Sequence, residues 1–211
     1  MKKTLSMLFG ACLLFATSTQ AGGLVGVKMG LGQAEGHNDA YTSGSTAIAA
    51  QSETKNNEFG ALFAEFELAS VEGLSLGLEY IPFTASIRLS PGKEGGTGAD
   101  VEDYTTLYAL YMKNVDAGNV YFKAGYSHAD IGTVTNSNST VNSQDDTLEG
   151  PMLGVGFQSN ELSNGLVARL EATYTDLEDV SITTTSNGSA SVKKTGSGEI
   201  TTFSLSIAKS F

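Results

Sequence analysis

The chain carries 211 residues, a formal charge of −11 and one cysteine, Cys12. So acidic a protein is a poor match for nucleic-acid phosphates, and a lone cysteine forms no intrachain disulfide. Its 25 glycines, 3 prolines and gaps rich in Ser, Thr and Asn point to an all-β fold, and no stretch approaches the ~20 apolar residues of a membrane helix.

Residues 1–21 read as a bacterial secretory signal peptide. Lys2 and Lys3 start it, an apolar run covers 5–16, and a small polar stretch ends in Thr19-Gln20-Ala21. Cleavage after Ala21 would leave 22–211 as a single domain, with a charge of −13 once two lysines and no acid are removed (−11 − 2). Leu13, Leu14 and Phe15 continue the apolar run past Cys12, so the cysteine belongs to the leader. The mature chain then has no thiol chemistry.

Eight segments follow in which apolar and polar residues alternate with period two, the pattern of strands with one apolar face. The first, 24–32, sets Val25, Val27, Met29 and Leu31 against Gly26, Lys28, Gly30 and Gly32. The second, 58–69, opposes Leu62, Ala64, Phe66 and Leu68 to Glu65 and Glu67, and the third, 73–81, opposes Leu74, Leu76, Leu78 and Tyr80 to Ser75, Gly77 and Glu79. The fourth, 103–114, sets Tyr104, Thr106, Tyr108, Leu110 and Met112 against Thr105, Leu107, Ala109 and Tyr111, with both faces fairly apolar.

In the fifth, 120–130, Val120, Phe122, Ala124 and Tyr126 oppose Lys123, Gly125 and Ser127. The sixth, 151–159, gives Leu153, Val155 and Phe157 against Gly154, Gly156 and Gln158. The seventh, 166–175, gives Leu166, Ala168, Leu170, Ala172 and Tyr174 against Arg169, Glu171 and Thr173. The last, 199–211, ends on Phe211, with Phe203, Leu205 and Ile207 in its parity and Lys209 breaking the apolar face near the rim.

Connections alternate in length. Residues 70–72, 115–119 and 160–165 are short turns, whereas 33–57, 84–102, 131–148 and 176–198 are long and polar. An even number of strands with tight turns at one end and long loops at the other is the layout of an eight-stranded antiparallel up-and-down transmembrane β-barrel. Closure is a physical requirement there, because lipid offers no partner to an open sheet edge. Within the last long connection, 180–194 is β-rich around Asn187-Gly188, a two-residue hairpin signal, with a solvated loop as the alternative.

Alternation alone does not fix which face is outside, and a soluble lipocalin-like barrel would turn its apolar face inward. The aromatic residues decide. Tyr80, Tyr104, Tyr126, Tyr174 and Phe203 fall toward the long-loop end of the apolar face, and Phe66, Phe122, Phe157 and Phe211 toward the short-turn end. Two aromatic rows bracketing an aliphatic band are the girdles of a membrane barrel. The opposite face carries Lys28, Glu65, Glu67, Glu79, Lys123, Arg169 and Glu171, which inside a barrel must pair with one another. They are expected to form a packed charge network rather than a gated polar pathway, since side chains largely fill an eight-stranded lumen.

With these features the chain resembles the OmpA/OmpX-type family of small bacterial outer-membrane barrels, over its whole mature length. The resemblance implies an integral outer-membrane location, with long loops extracellular and both termini periplasmic. It implies contact with outer-membrane lipid and lipopolysaccharide, and a monomer. It also implies that a C-terminal aromatic preceded by alternating apolar residues is read by the outer-membrane assembly machinery. Phe203, Leu205, Ile207 and Phe211 fit that signal, and Lys209 departs from it. The chain ends with the barrel, so no periplasmic cell-wall domain is expected.

Motifs for chemistry are sparse. Ser127, His128 and Asp130 cluster near the outer rim, but adjacent strand residues point to opposite faces, which separates Ser127 from His128. His37 sits in the first long loop. Acidic loop residues Asp145, Asp146, Glu149, Asp176, Glu178 and Asp179 lack the spacing of a calcium loop and read as solvated. With no phosphate-cradling loop, zinc-ligand spacing or nucleophile elbow, neither catalysis, metal nor cofactor is expected. The leading expectation is a non-enzymatic barrel with a structural or surface-interaction role in membrane integrity, adhesion or defence. Alternatives are a narrow small-solute channel, a lipid A-modifying enzyme and, last for want of any Trp, a lipocalin-like binder.

Overall fold

The computed structural model describes residues 22–43, 46–82, 85–88, 97–136, 139–144, 147–186 and 191–211. The expected leader, the Asn187-Gly188 tip, Asp145 and Asp146 lie outside these residues. In chain order the strands are β1 (Gly23–Asn38), β2 (Tyr41–Ser43), β3 (Thr46–Ile48), β4 (Gln51–Glu67), β5 (Leu74–Ile81) and β6 (Ala85–Arg88). They continue as β7 (Thr97–Val115), β8 (Gly118–Asn136), β9 (Ser139–Gln144), β10 (Thr147–Ser159), β11 (Leu166–Ser186) and β12 (Ser191–Ser210).

Eight of these form a closed antiparallel ring, β1-β4-β5-β7-β8-β10-β11-β12, and β12 returns to pair with β1 from Leu24↔Ser210 to Asn38↔Gly196. The remaining four lie at the long-connection end: β6 extends along β7, β9 along β11, and β2 with β3 makes a separate hairpin. The seam is tight. Gly23 and Phe211 exchange both backbone hydrogen bonds at 3.0 Å, so the last residue is held in the ladder.

The short end turns as its composition dictates. Between β7 and β8 only Asp116 and Ala117 intervene, and between β10 and β11 the left-handed pair Asn164 (φ 55°) and Gly165 (φ 74°) reverses the chain. Gly73 (φ 76°) closes the β4–β5 turn where a side chain would strike the Met112 carbonyl at 2.4 Å.

The opposite end differs from the sequence reading. Segments read as loops continue the ladder: β1 and β4 stay in register out to Asn38↔Gln51, and β11 and β12 pair on to Thr185↔Ser191 past a register shift between Leu177 and Val180. A membrane span takes about 9–11 residues of a tilted strand, so the 21 residues of β11 and 20 of β12 rise well beyond one. Above the span both faces meet water and both can be polar. Without an apolar face there is no parity to read, which is why these extensions look like loops in sequence.

Apolar side chains face out. Val27, Met29, Leu153, Val155, Leu205 and Ile207 are each about half exposed or more, while the alternate residues Lys28, Ser204 and Ser206 are buried. One strand corrects the expected parity. On β7 it is Leu107 and Tyr111 that face out, and Tyr108 and Leu110 are buried, with Tyr104 half-buried in the same inward parity. Register fixes this: Leu107 pairs Tyr126 and Leu78, and Tyr111 pairs Phe122 and Leu74, all on the outer face. Tyr104 therefore leaves the outer aromatic row and donates instead to Thr175 Oγ1 at 3.3 Å.

Inside, four large aromatic rings each lie over a glycine directly across the ladder. A Cβ added at Gly77 would meet the Tyr108 ring at 2.4 Å, at Gly156 the Tyr121 ring at 2.2 Å, at Gly26 the Phe63 ring at 2.5 Å and at Gly30 the Phe59 ring at 2.7 Å. All four are register partners. The missing side chains make the space that the rings fill, in a lumen too narrow for both.

Candidate functional site

The lumen is crossed by six charged side chains in two layers. In the upper layer Lys28 (β1) and Lys123 (β8) both reach Glu79 Oε2, at 2.6 and 2.8 Å, and both reach Glu171 Oε1, Lys123 at 3.2 Å. Tyr121 donates to the other Glu171 oxygen at 3.0 Å, and the Lys123 ammonium stands 3.9 Å over the Tyr108 ring. In the lower layer Arg169 (β11) makes a two-pronged contact with Glu65 (β4), both hydrogen bonds 2.7 Å, while its Nε donates to Gln158 at 2.7 Å. Tyr108 donates to Glu65 at 2.7 Å and so ties the layers together.

Each of the six is buried. Three cations face three carboxylates, so the group sums to zero. That balance is what a desolvated interior demands, since an unpaired charge there costs several kcal/mol. The seventh residue of the expected network, Glu67, lies exposed at the short-turn mouth, outside the buried group. Sequence reasoning missed Tyr108, assigned to the wrong face, and Tyr121 and Gln158, which no one-sided parity test marks as charge partners. The glycine opposite each tyrosine was the available signal.

Two cavities flank the network. The upper one, about 350 Å³, opens toward the long-strand end and has Glu79 and Lys123 in its floor. The lower one, about 270 Å³, lies at the short-turn mouth and has Glu65 and Arg169 in its wall. No described residue lines both.

At the long-strand rim, outward-facing tyrosines donate to acids: Tyr80 to Asp103 at 2.5 Å, and Tyr126 to Glu178 at 3.0 Å. His128 bonds Glu149 at 2.8 Å there, while Ser127 points inward to Thr106 Oγ1 at 2.9 Å, so the two residues face opposite ways. Among the described residues no group of three or more His, Asp or Glu side chains converges on a metal position. The apolar residues of the terminal strand, Phe203, Leu205 and Ile207, face outward with Phe211 at the seam.

No family model matches the chain, and no curated protein matches it in sequence. Among solved structures it is similar to the outer membrane protein OprG from Pseudomonas aeruginosa, with a TM-score of 0.66 and 11% identity over 91% of this chain and 97% of that one. Neisserial surface protein A gives 0.47 and 12% identity over 89% and 97%, and Ail, the attachment invasion locus protein of Yersinia pestis, gives 0.45 and 13% over 90% and 99%. The likeness is one of fold. The chain has the architecture of a small outer-membrane barrel.

Proposed function

We propose that this chain is an integral outer-membrane barrel that does not conduct, and that it serves membrane integrity and surface interaction. Its long-strand end would be extracellular and the short-turn end, with Gly22 and Phe211, periplasmic. The observation that carries this reading is the neutral six-residue plug lying between two cavities that share no wall. The half-exposed aliphatic band supports a lipid surround, because soluble proteins rarely leave apolar patches larger than a few hundred Å² in water. The raised, polar strand ends above that band offer the surface for contact with lipopolysaccharide or other cells.

In planar bilayers the purified barrel is expected to give no persistent current. A steady ohmic conductance that disappears on reshaping Arg169 and Glu171 would establish a channel instead. Recovery from the membrane fraction as a heat-modifiable band is expected as well; recovery from periplasm without detergent contradicts the location.

A further inference from the structure

We propose that the upper cavity is a blind pocket for a small uncharged amphipathic molecule, one with a hydroxyl or amide head and a short apolar body. Its volume of about 350 Å³ falls at the lower end of the ~300–1,000 Å³ common for small-molecule sites. Phe59, Ile81, Val101, Met152 and Ile200 supply apolar wall. Below them comes a collar of hydroxyls: Tyr104 donates to Thr175, Thr173 pairs with Thr202 at 2.6 Å, and Thr106 pairs with Ser127. Apolar atoms supply more of this surface than polar ones, and polar groups converge on it from several strands, a make-up found in ligand sites.

The charge of the occupant follows from the floor. Glu79 and Lys123 belong to a cluster that already balances, and the other two charged residues of the lining, Lys55 and Glu58, carry opposite signs with Lys55 already engaged, so a carboxylate or an ammonium entering above the floor would add an uncompensated charge. An uncharged head needs only hydrogen bonds. The carboxylate of Glu79 forms part of the wall and both lysines use its Oε2, so a hydroxyl or amide donor meets an acceptor there, and the threonines offer donors in return. This goes beyond the closed-barrel reading, since a bound molecule requires no passage; bilayer conductance reports on that reading separately.

Gly32 lines the pocket and gives a clean handle, because an added Cβ meets nothing closer than 3.8 Å. The test uses the whole barrel refolded in lipid nanodiscs, with ¹³C-methyl labels at isoleucine and methionine. The probes are 1-hexanol, hexanoate and hexylammonium. Saturable shifts at Ile81, Ile200 and Met152 are expected with hexanol, with both ions binding about tenfold more weakly or worse. Gly32→Leu, or Ala34→Phe should the first variant not refold, is expected to abolish the shifts. Shifts that climb without saturating, persist in the filled variant, or appear as strongly with either ion overturn the proposal.

Discussion

Arg169 and Glu65 hold each other across the lumen through two parallel 2.7 Å hydrogen bonds, from strands that are not neighbours in the sheet. The ring already fixes each strand beside the next. This contact is of another kind, a cross-brace between opposed parts of the wall, and it is bought with two desolvated charges.

Removing one partner should therefore cost far more than removing both. Arg169→Met leaves Glu65 buried without its cation and is expected to destabilise by about 3–5 kcal/mol. Arg169→Met with Glu65→Gln should recover most of that loss. Urea titration of the refolded barrel, followed by its gel shift, measures both. Equal losses in the single and double variants would show that the pair contributes through shape alone.

The glycines under the interior rings predict a sharp contrast. Gly77→Val and Gly156→Val drive a side chain into Tyr108 and Tyr121 and are expected to cost about 1–3 kcal/mol each by overpacking. Gly36→Val, at a position with nothing within 4 Å, should be close to neutral. Refolding yield and urea midpoint of the three variants provide the comparison.

Leu205 sits in the middle of the outward band, paired with Met29 and Leu170. In a bilayer Leu205→Arg is expected to cost about 2–4 kcal/mol, the range for a cation at mid-membrane on a barrel's lipid face. On a water-facing wall the same change would fall within about 0.5 kcal/mol. Stability in liposomes separates the two surroundings without any assay of function.

Deleting Phe211 removes both its ring and the two backbone bonds to Gly23, and is expected to lower outer-membrane assembly while secretion continues. Phe211→Ala keeps the backbone bonds. If the side chain is what the assembly machinery reads, this variant should refold normally in detergent yet assemble poorly in cells. Normal assembly of both variants would show that the terminal aromatic carries no signal.

How much of this was legible depends on where one face differs from the other. Seven of the eight strands announced which residues share a face, because Val27 beside Lys28, or Phe122 beside Lys123, sorts the two parities cleanly. β7 did not, since Tyr108 and Leu107 are both apolar enough for either side; only pairing with β5 and β8 decides it. The charged interior residues were visible as a class, but which carboxylate meets which cation depends on the stagger of the closed ring. Glu67 shows the limit: it shares the parity of Glu65, yet two residues further along it reaches water.

Those glycine and aromatic pairs also bear on how the chain finds its alignment. Sliding one strand by two residues keeps every side chain on its proper face, so hydrophobicity alone does not reject the error. Packing does. With such a slip Tyr108 would face Ser75 or Glu79 instead of Gly77, and Phe63 would face Leu24 or Lys28 instead of Gly26. At Gly77 and Gly26 the bare backbone thus acts as a notch for a ring that a two-residue slip would shut out, giving the β5–β7 and β1–β4 pairings a local proofreading step before the ring of strands closes.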